Sequence, residues 1–324
     1  MHLHEGDVRD VYVQWPAPDV IISDGAYGVN GFPGDTNGMT GLREWYADHI
    51  AAWSEQAKPN TTLWFWGTEL SWATVHPDLV RAGWVYVQTI VWDKGVGHVA
   101  GNVNGLTIRR FPVVTEVCGF YRRPETWLAK ASAVSAQEWL RSEWLRAGLK
   151  LSEANAACGV KNAATRKYLT RDQLWYFPPV EVMTRLVTYA NEHGLLEGRP
   201  YFSLDGVAPV TGGAWEQMRH VWHHQHGITN VWRHAQLRGE ERMKLPGGGS
   251  FHLNQKPLAL MERILAACSD EGDVVWEPFG GLCSATMAAR KMRRRGYAAE
   301  INPRYAEVAR VRLGVEETEL SLAA

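Results

Sequence analysis

Two short apolar runs, Val20-Ile21-Ile22-Ser23 and Val274-Val275-Trp276, each end in a carboxylate and pass at once into a glycine-bearing loop. The first is followed by Asp24-Gly25-Ala26-Tyr27-Gly28, the second by Glu277-Pro278-Phe279-Gly280-Gly281. A short apolar run bounded by turn residues reads as a buried strand. Runs of the same kind at 62–66, 84–92, 113–121 and 297–301 alternate with stretches of helical apolar spacing at 42–56, from 68 to about 81, and at 257–268, 284–293 and 303–313. Residues 8–14 lead into the first strand. Strands alternating with helices predict an α/β sheet. The carboxyl ends of such strands are where open sheets take ligands, and glycine lets a ligand approach the backbone.

The pattern changes near Pro124. Helical spacing fills 137–147, 152–158, 163–170 and 179–193, with Gly148 and Gly159 as helix stops. Between 141 and 171 stand Arg141, Arg146, Lys150, Lys161, Arg166, Lys167 and Arg171 against Glu143 and Glu153. A solvated helical face explains such a run. The short helix, Gly159 turn and second helix also resemble a helix-turn-helix, which would aim the second helix at DNA. Residues 194–250 are rich in loops and hold His220, His223, His224 and His226 without a Cys, Asp or Glu at ligand spacing, so no metal is expected.

The 324 residues suffice for a large core, and 45% hydrophobic against 21% charged describes a globular chain. No apolar run reaches the ~18 residues of a membrane span, and the start, Met1-His2-Leu3-His4-Glu5, carries no secretory pattern. Cys118, Cys158, Cys268 and Cys283 stand singly, which fits a reducing cytoplasm and argues against a four-thiolate zinc site. A net charge of −1 excludes a uniformly basic protein but leaves room for a local basic face. The 16 tryptophans serve mostly as core.

Three groups of residues carry chemistry. Asp24 can accept a hydrogen bond from an amino group, the carbonyl of Gly25 a second, and Tyr27 can stack on a flat ring. Glu300, at the end of the run Tyr297–Ala299, stands at about the right distance from Gly281 to accept ribose hydroxyls. In Phe251-His252-Leu253-Asn254-Gln255-Lys256-Pro257, a lysine precedes a helix that opens on proline, which predicts an anion site.

Together these motifs resemble those of the amino-methyltransferases that modify DNA with S-adenosylmethionine. The loop Glu277–Ser284 is similar to Asp-Pro-Phe-x-Gly-Ser-Gly at Pro278, Phe279 and Gly281, and departs from it at Glu277, Leu282 and Cys283. Asp24-Gly25-Ala26-Tyr27 aligns with Asp-Pro-Pro-Tyr, both prolines replaced. His252 to Pro257 resembles His-Pro-x-Gln-Lys-Pro, with Leu253 departing; Glu300-Ile301-Asn302-Pro303 and Gly6-Asp7 also fit. The catalytic motif comes first and the cofactor motif last, the permuted order of the family's beta group.

The resemblance implies a Rossmann-like methyltransferase sheet with helices on both faces, built from 1–124 and 251–324. Residues 125–250 would form an inserted, mainly helical target-recognition region with Arg141, Lys150, Lys161, Arg166 and Lys167 on DNA. Asp24, Gly25, Ala26 and Tyr27 would be catalytic. The cofactor would meet Asp7 (adenine amino group), Glu300 (ribose), Lys256 (carboxylate) and the loop residues Glu277, Pro278, Phe279, Gly280, Gly281 and Cys283. Asp24, Asn254 and Asn302 complete that set. Double-stranded DNA is the implied partner; a homodimer and a cognate restriction enzyme are further partners the resemblance admits. Asp24 favours adenine N6, whereas a one-residue slip onto Ser23 would revive cytosine N4. A catalytically decayed DNA-binding relative and a nicotinamide-dependent dehydrogenase are the alternatives. Asp24, Tyr27, Lys256 and Glu300 argue against the first, the absent G-x-G-x-x-G against the second.

Overall fold

The structure, a computed structural model, describes residues 1–29, 35–36, 38–99, 104, 106–124, 135–172, 174–195, 198–219, 221–237, 241–243 and 254–315. Phe251, His252 and Leu253 of the third motif, His220, and the glycines at 247–249 lie outside them. The chain divides into two compact units, residues 1–123 with 221–324, and residues 124–220.

The first unit opens with β1 (His2–Glu5) and a 3₁₀ turn at Val8–Asp10, and residues 8–14 form the turns that lead toward β2. Then come β2 (Val20–Ser23), α1 (Leu42–Gln56), β3 (Thr62–Gly67), α2 (Glu69–Arg81), β4 (Val85–Asp93) and β5 (Thr115–Arg122). The second unit supplies α3 (Ala136–Arg146), α4 (Leu151–Ala157), a π-helical turn (Ala164–Tyr168), α5 (Val180–His193) and α6 (Gly212–Gln217). The chain returns with β6 (Val231–Arg233), α7 (Leu258–Cys268), β7 (Val274–Glu277), α8 (Ser284–Lys291), β8 (Arg295–Glu300) and α9 (Pro303–Leu313). The return falls at 221 instead of 251 because β6 pairs in parallel with β4 and so belongs to the sheet.

Among the described residues the sheet has eight strands in the order β1-β8-β7-β2-β3-β5-β4-β6. Strands β1, β8, β7, β2 and β3 run parallel, and β5 lies antiparallel between β3 and β4. Both faces are covered, so the central strands read as continuous apolar runs. Alternation sorts their side chains. Ile21, Leu63, Phe65 and Trp276 pack with Tyr46 and Trp53 of α1 and Leu79 of α2. Val20, Ile22, Trp64, Trp66 and Val275 pack with Leu260 and Ile264 of α7 and Ala285 of α8 on the other face. Most of the tryptophans are buried in these layers or in the second unit's core, which accounts for their number. Neighbours β7 and β2 pair Ile21 with Trp276, so their carboxyl ends open side by side.

The second unit has its own core of Trp139, Leu140, Trp144, Leu186, Phe202 and Trp215. Ser135 Oγ caps α3 by accepting from Glu138 N at 3.2 Å, and Gly159 (φ 66°) turns the chain after α4. Asn155 Oδ1 then accepts from the amides of Ala164 and Thr165 at 3.1 and 3.3 Å. The expected helix at 163–170 is therefore a short π-helical turn strapped to α4. No helix among the described residues is long and apolar enough to cross a membrane.

Candidate active site

At the carboxyl ends of β2, β7 and β8 lies a cavity of about 580 Å³. Asp24, directly after β2, lines it. Its Oδ1 accepts from the Tyr27 hydroxyl at 2.7 Å and from Lys256 Nζ at 2.7 Å; Oδ2 accepts from Lys256 Nζ at 2.9 Å. Lys256 Nζ also donates to the Tyr27 oxygen at 2.9 Å and lies 3.2 Å from Glu116 Oε2 on β5. Lys94, just past β4, donates to Glu116 Oε1 at 2.5 Å. Two carboxylates and two ammonium groups thus balance in a mostly buried network. Buried charges persist only when paired in this way. Burial opposes the charge on Lys256, but Asp24 and Glu116 outweigh it and hold the ammonium above its ordinary pKa. Burial likewise opposes the charge on Glu116, yet Lys256 and Lys94 keep its carboxyl below the usual range. Burial and the neighbouring carboxylates push the Tyr27 phenol well up, so it stays a donor.

The Gly25-Ala26 segment is held without prolines. Tyr46 Oη donates to the Ala26 carbonyl at 3.0 Å. The amides of Tyr27, Gly28 and Val29 all donate to the Asp35 carboxylate, at 3.0, 2.7 and 3.2 Å. A Cβ on Gly25 would lie 2.7 Å from both Phe279 Cδ2 and Tyr46 Oη.

The opposite wall is the Glu277–Gly281 loop. Glu277 ends β7 and accepts from the amides of Ala285 and Thr286, at 2.9 and 2.7 Å, at the start of α8. Burial pushes its carboxyl up to about 7 despite these bonds. Gly280 N donates to Ala299 O at 2.7 Å, and a Cβ there would meet Cys283 Sγ at 2.8 Å and Ala299 O at 3.0 Å, so only glycine lets the loop lie against β8. Pro278, Phe279, Gly280 and Gly281 line the cavity, as do Asn254 and Asn302. Glu300, at the end of β8, accepts from Gly281 N on Oε2 and Asn302 N on Oε1, both at 2.7 Å. Burial raises its pKa against those two amides. Phe279 meets Trp45 and His49 of α1 with ring centroids 5.0 and 4.9 Å apart. Burial lowers the His49 pKa to about 4, so the imidazole is neutral.

The structure departs from the sequence reading in several places. The anion site expected at Lys256 exists, but the protein's own carboxylates fill it. Lys256 is held by Asp24 and Glu116, and Leu258 N at the start of α7 donates to Glu241 Oε1 at 2.7 Å. Cys283 does not line the cavity; it is buried beneath the loop at φ 54°, and burial pushes its thiol well up. Asp7 lines the cavity, though Arg9 clasps its carboxylate at 2.6 Å and holds its pKa down. Tyr27 turns its hydroxyl into the charge network and packs its ring beside the face holding Trp66. In the second unit, Arg141 donates to Leu169 O and Arg146 to the buried Glu143, whereas Lys150, Lys161, Arg166, Lys167 and Arg171 are exposed. Sequence reasoning missed Glu116, Lys94, Trp45, His49 and Asp35. The one available signal was Glu116, a charge within an apolar strand. Among the described residues no cluster of three His, Cys, Asp or Glu is placed to hold a metal ion.

The family model described as DNA methylase matches residues 19–311. The type II methyltransferase M.HpaI of Haemophilus parainfluenzae is 35% identical over 88 residues, 27% of this chain and 26% of that protein. M.BglII of Bacillus subtilis is 22% identical over 310 residues, 95% of this chain and 67% of its own. The matched stretch thus spans about a quarter of M.HpaI. Among solved structures, the M1.HpyAVI–SAM complex is similar with a TM-score of 0.54 at 15% identity, covering 97% of this chain and 99% of that one. The cytosine-N4-specific PvuII DNA methyltransferase has a TM-score of 0.54 at 12% identity, covering 98% and 86%. These two likenesses are of fold.

Proposed function

Because the chain belongs to the DNA methylase family, we propose that it transfers a methyl group from S-adenosylmethionine to the exocyclic amino group of a DNA base, adenine N6 before cytosine N4. The carrying observation is that an amine acceptor, Asp24, and a nucleoside-sized cradle share the carboxyl ends of neighbouring parallel strands. The cavity suits the cofactor by its donor set. Trp45 and Phe279 offer aromatic faces, and Glu300, oriented by two amides, offers a carboxylate to a ribose diol. Asn254, Asn302 and the Pro278–Gly281 backbone remain for the methionine part, and Asp7 for the adenine amino group. S-adenosylmethionine, when bound, supplies a methyl group on a positively charged sulfur.

Asp24 accepts an N–H of the target amine, and the Gly25 carbonyl accepts the other. That pair of acceptors turns the nitrogen lone pair toward the methyl group and stabilises positive charge as it builds on nitrogen. Asp24 then takes the proton that the methylated nitrogen releases. No nucleophilic cysteine is needed, and all four cysteines are buried. A base in a duplex must leave the stack to reach Asp24, and Tyr27 is the ring at hand to receive it. The exposed Lys150, Lys161, Arg166 and Lys167 are the candidates for meeting DNA phosphates in the helical unit. Arg141 is set aside because its guanidinium is held by Leu169.

The test is product analysis: incubation with unmethylated DNA and S-adenosylmethionine, digestion to nucleosides, and mass spectrometry. N6-methyladenine is expected. N4-methylcytosine would keep the mechanism and overturn the base, and no methylated nucleoside despite cofactor binding would overturn the activity.

A further inference from the structure

The Tyr27 hydroxyl does two things at one point. It gives its hydrogen to Asp24 Oδ1 at 2.7 Å, with Glu116 Oε2 a longer second acceptor at 3.3 Å, and takes one from Lys256 Nζ at 2.9 Å. An ammonium has three N–H groups. Those of Lys256 go to Asp24, to Glu116 and to the Tyr27 oxygen. Asp24 and Lys256 both line the cavity, whereas Glu116 and Lys94 are not among its lining residues. The pair therefore presents an acceptor beside a donor to whatever enters, with Glu116 holding the ammonium from behind and Lys94 holding Glu116.

The edge of an aminated base has the complementary pattern. An amine N–H sits next to an unprotonated ring nitrogen, N6 beside N1 in adenine and N4 beside N3 in cytosine. Flipped bases are commonly read on this edge. A phenol hydroxyl that donates to the carboxylate and accepts from the ammonium imitates both atoms. We propose that the Tyr27 hydroxyl is a placeholder for this edge, and that Lys256 reads the target base by donating to the ring nitrogen beside the amine. When the base arrives, Tyr27 gives up both bonds. Asp24 takes the amine N–H, Lys256 turns its freed N–H to the ring nitrogen, and the Tyr27 ring is released to stack on the base. Lys256 keeps Asp24 and Glu116 throughout, so the buried ammonium is never short of more than one partner. This inference rests on the amino-methyltransferase reading of the same site and adds to it a specificity-determining residue.

The experiment uses the whole wild-type enzyme and a duplex carrying the site it methylates, located by mapping its own product. The target adenine is replaced by 1-deazaadenine, which keeps the amine and puts C–H in place of the ring nitrogen; 3-deazacytosine serves if the product is N4-methylcytosine. Losing a charge-assisted hydrogen bond and leaving its donor unpaired is expected to lower kcat/KM by about 10–100-fold. Cofactor affinity should not move. Equal rates on natural and 1-deaza substrates would overturn the placeholder while leaving the methyltransferase reading intact. A wild-type enzyme that methylates no nucleoside would overturn both. In Lys256→Met, which has no proton to donate, the ratio between the two substrates should collapse toward one; a ratio kept at the wild-type value would assign the reading to another group. Should that variant not fold, the analogue pair on the wild-type protein still decides.

Discussion

Gly25 stands where related motifs carry proline, a replacement that by itself frees the backbone. The contacts around it point the other way. Tyr46 clamps the Ala26 carbonyl and Asp35 gathers the next three amides, so rigidity comes from neighbours rather than from a ring. The same packing leaves no room for a Cβ. Gly25→Pro, which restores the usual residue, is expected to destabilise the protein by about 1–3 kcal/mol through overpacking and to weaken cofactor binding by displacing Phe279. Thermal melting and calorimetric titration with S-adenosylmethionine check this; a proline variant that melts higher and binds as well would show that Phe279 and Tyr46 yield freely. At this scale the sequence was readable where side chains lie close along the chain. Asp24 and Tyr27 share one loop, and Glu277 with Gly281 another. Lys256 was singled out for its charge beside a helix start, and within the protein its partners are Asp24 and Glu116. Glu116 stands opposite only because β5 folds back beside β3. No local pattern carries that information.

At the scale of elements, long periodic stretches such as α1, α5 and α7 and the continuous apolar strands were readable because burial imposes their period. β1 and β6 were not. His2–Glu5 is a polar edge strand, and Val231–Arg233 is too short to show alternation. The antiparallel direction of β5 was equally hidden, since a strand pattern has no polarity. The basic run of the helical unit shows how a composition signal divides on folding. Part of it is structural: Glu143 of α3 is buried, accepts from Arg146 and Arg199 at 2.8 and 2.6 Å, and takes the amide of Phe202 at 2.9 Å. This clasp ties α3 to the segment that follows α5. Arg146 and Arg199 are 31% and 41% exposed and rehydrate when Glu143 is removed, so the cost is that of the buried Phe202 amide left unpaired, about 1–3 kcal/mol. Glu143→Ala should therefore loosen the helical unit by that order. Hydrogen exchange should show faster exchange in α3 and around Phe202 with β2 and β7 still protected. Unchanged protection around Phe202 would mean that the hydrophobic core of Trp139, Phe202 and Trp215 holds this segment without the clasp.

At the scale of the whole molecule, the order of motifs raises the expectation of a sheet interrupted by residues 125–250, and the compact units are 1–123 with 221–324, and 124–220. What the order could not show is how burial in that sheet unit couples folding to pH. Glu277 is raised from 4.5 to about 7, so the folded state binds its proton more tightly than the unfolded chain does. Its contribution is fully present below about pH 4.5 and is lost as pH rises through 7. His49 is lowered from 6.5 to about 4. The unfolded chain binds that proton more tightly, so this contribution is present above about pH 6.5 and is lost as pH falls toward 4. Each is worth up to about 3 kcal/mol at its limit, and the two slopes oppose each other across nearly the same window. Their sum in the wild-type protein is close to flat, and single substitutions should uncover the parts. Relative to wild type, Glu277→Gln should lose melting temperature progressively from pH 7 to pH 5, whereas His49→Gln should gain over the same range. Both variants also disturb hydrogen bonds, at the start of α8 and at Tyr12, but that cost is independent of pH and shifts each curve without tilting it. Melting followed by tryptophan fluorescence at half-unit pH steps separates the tilt from the offset. Parallel curves for wild type and both variants would mean that neither group changes its proton affinity on folding, and opposite tilts would assign opposing pH responses to Glu277 and His49, both of which line the cavity.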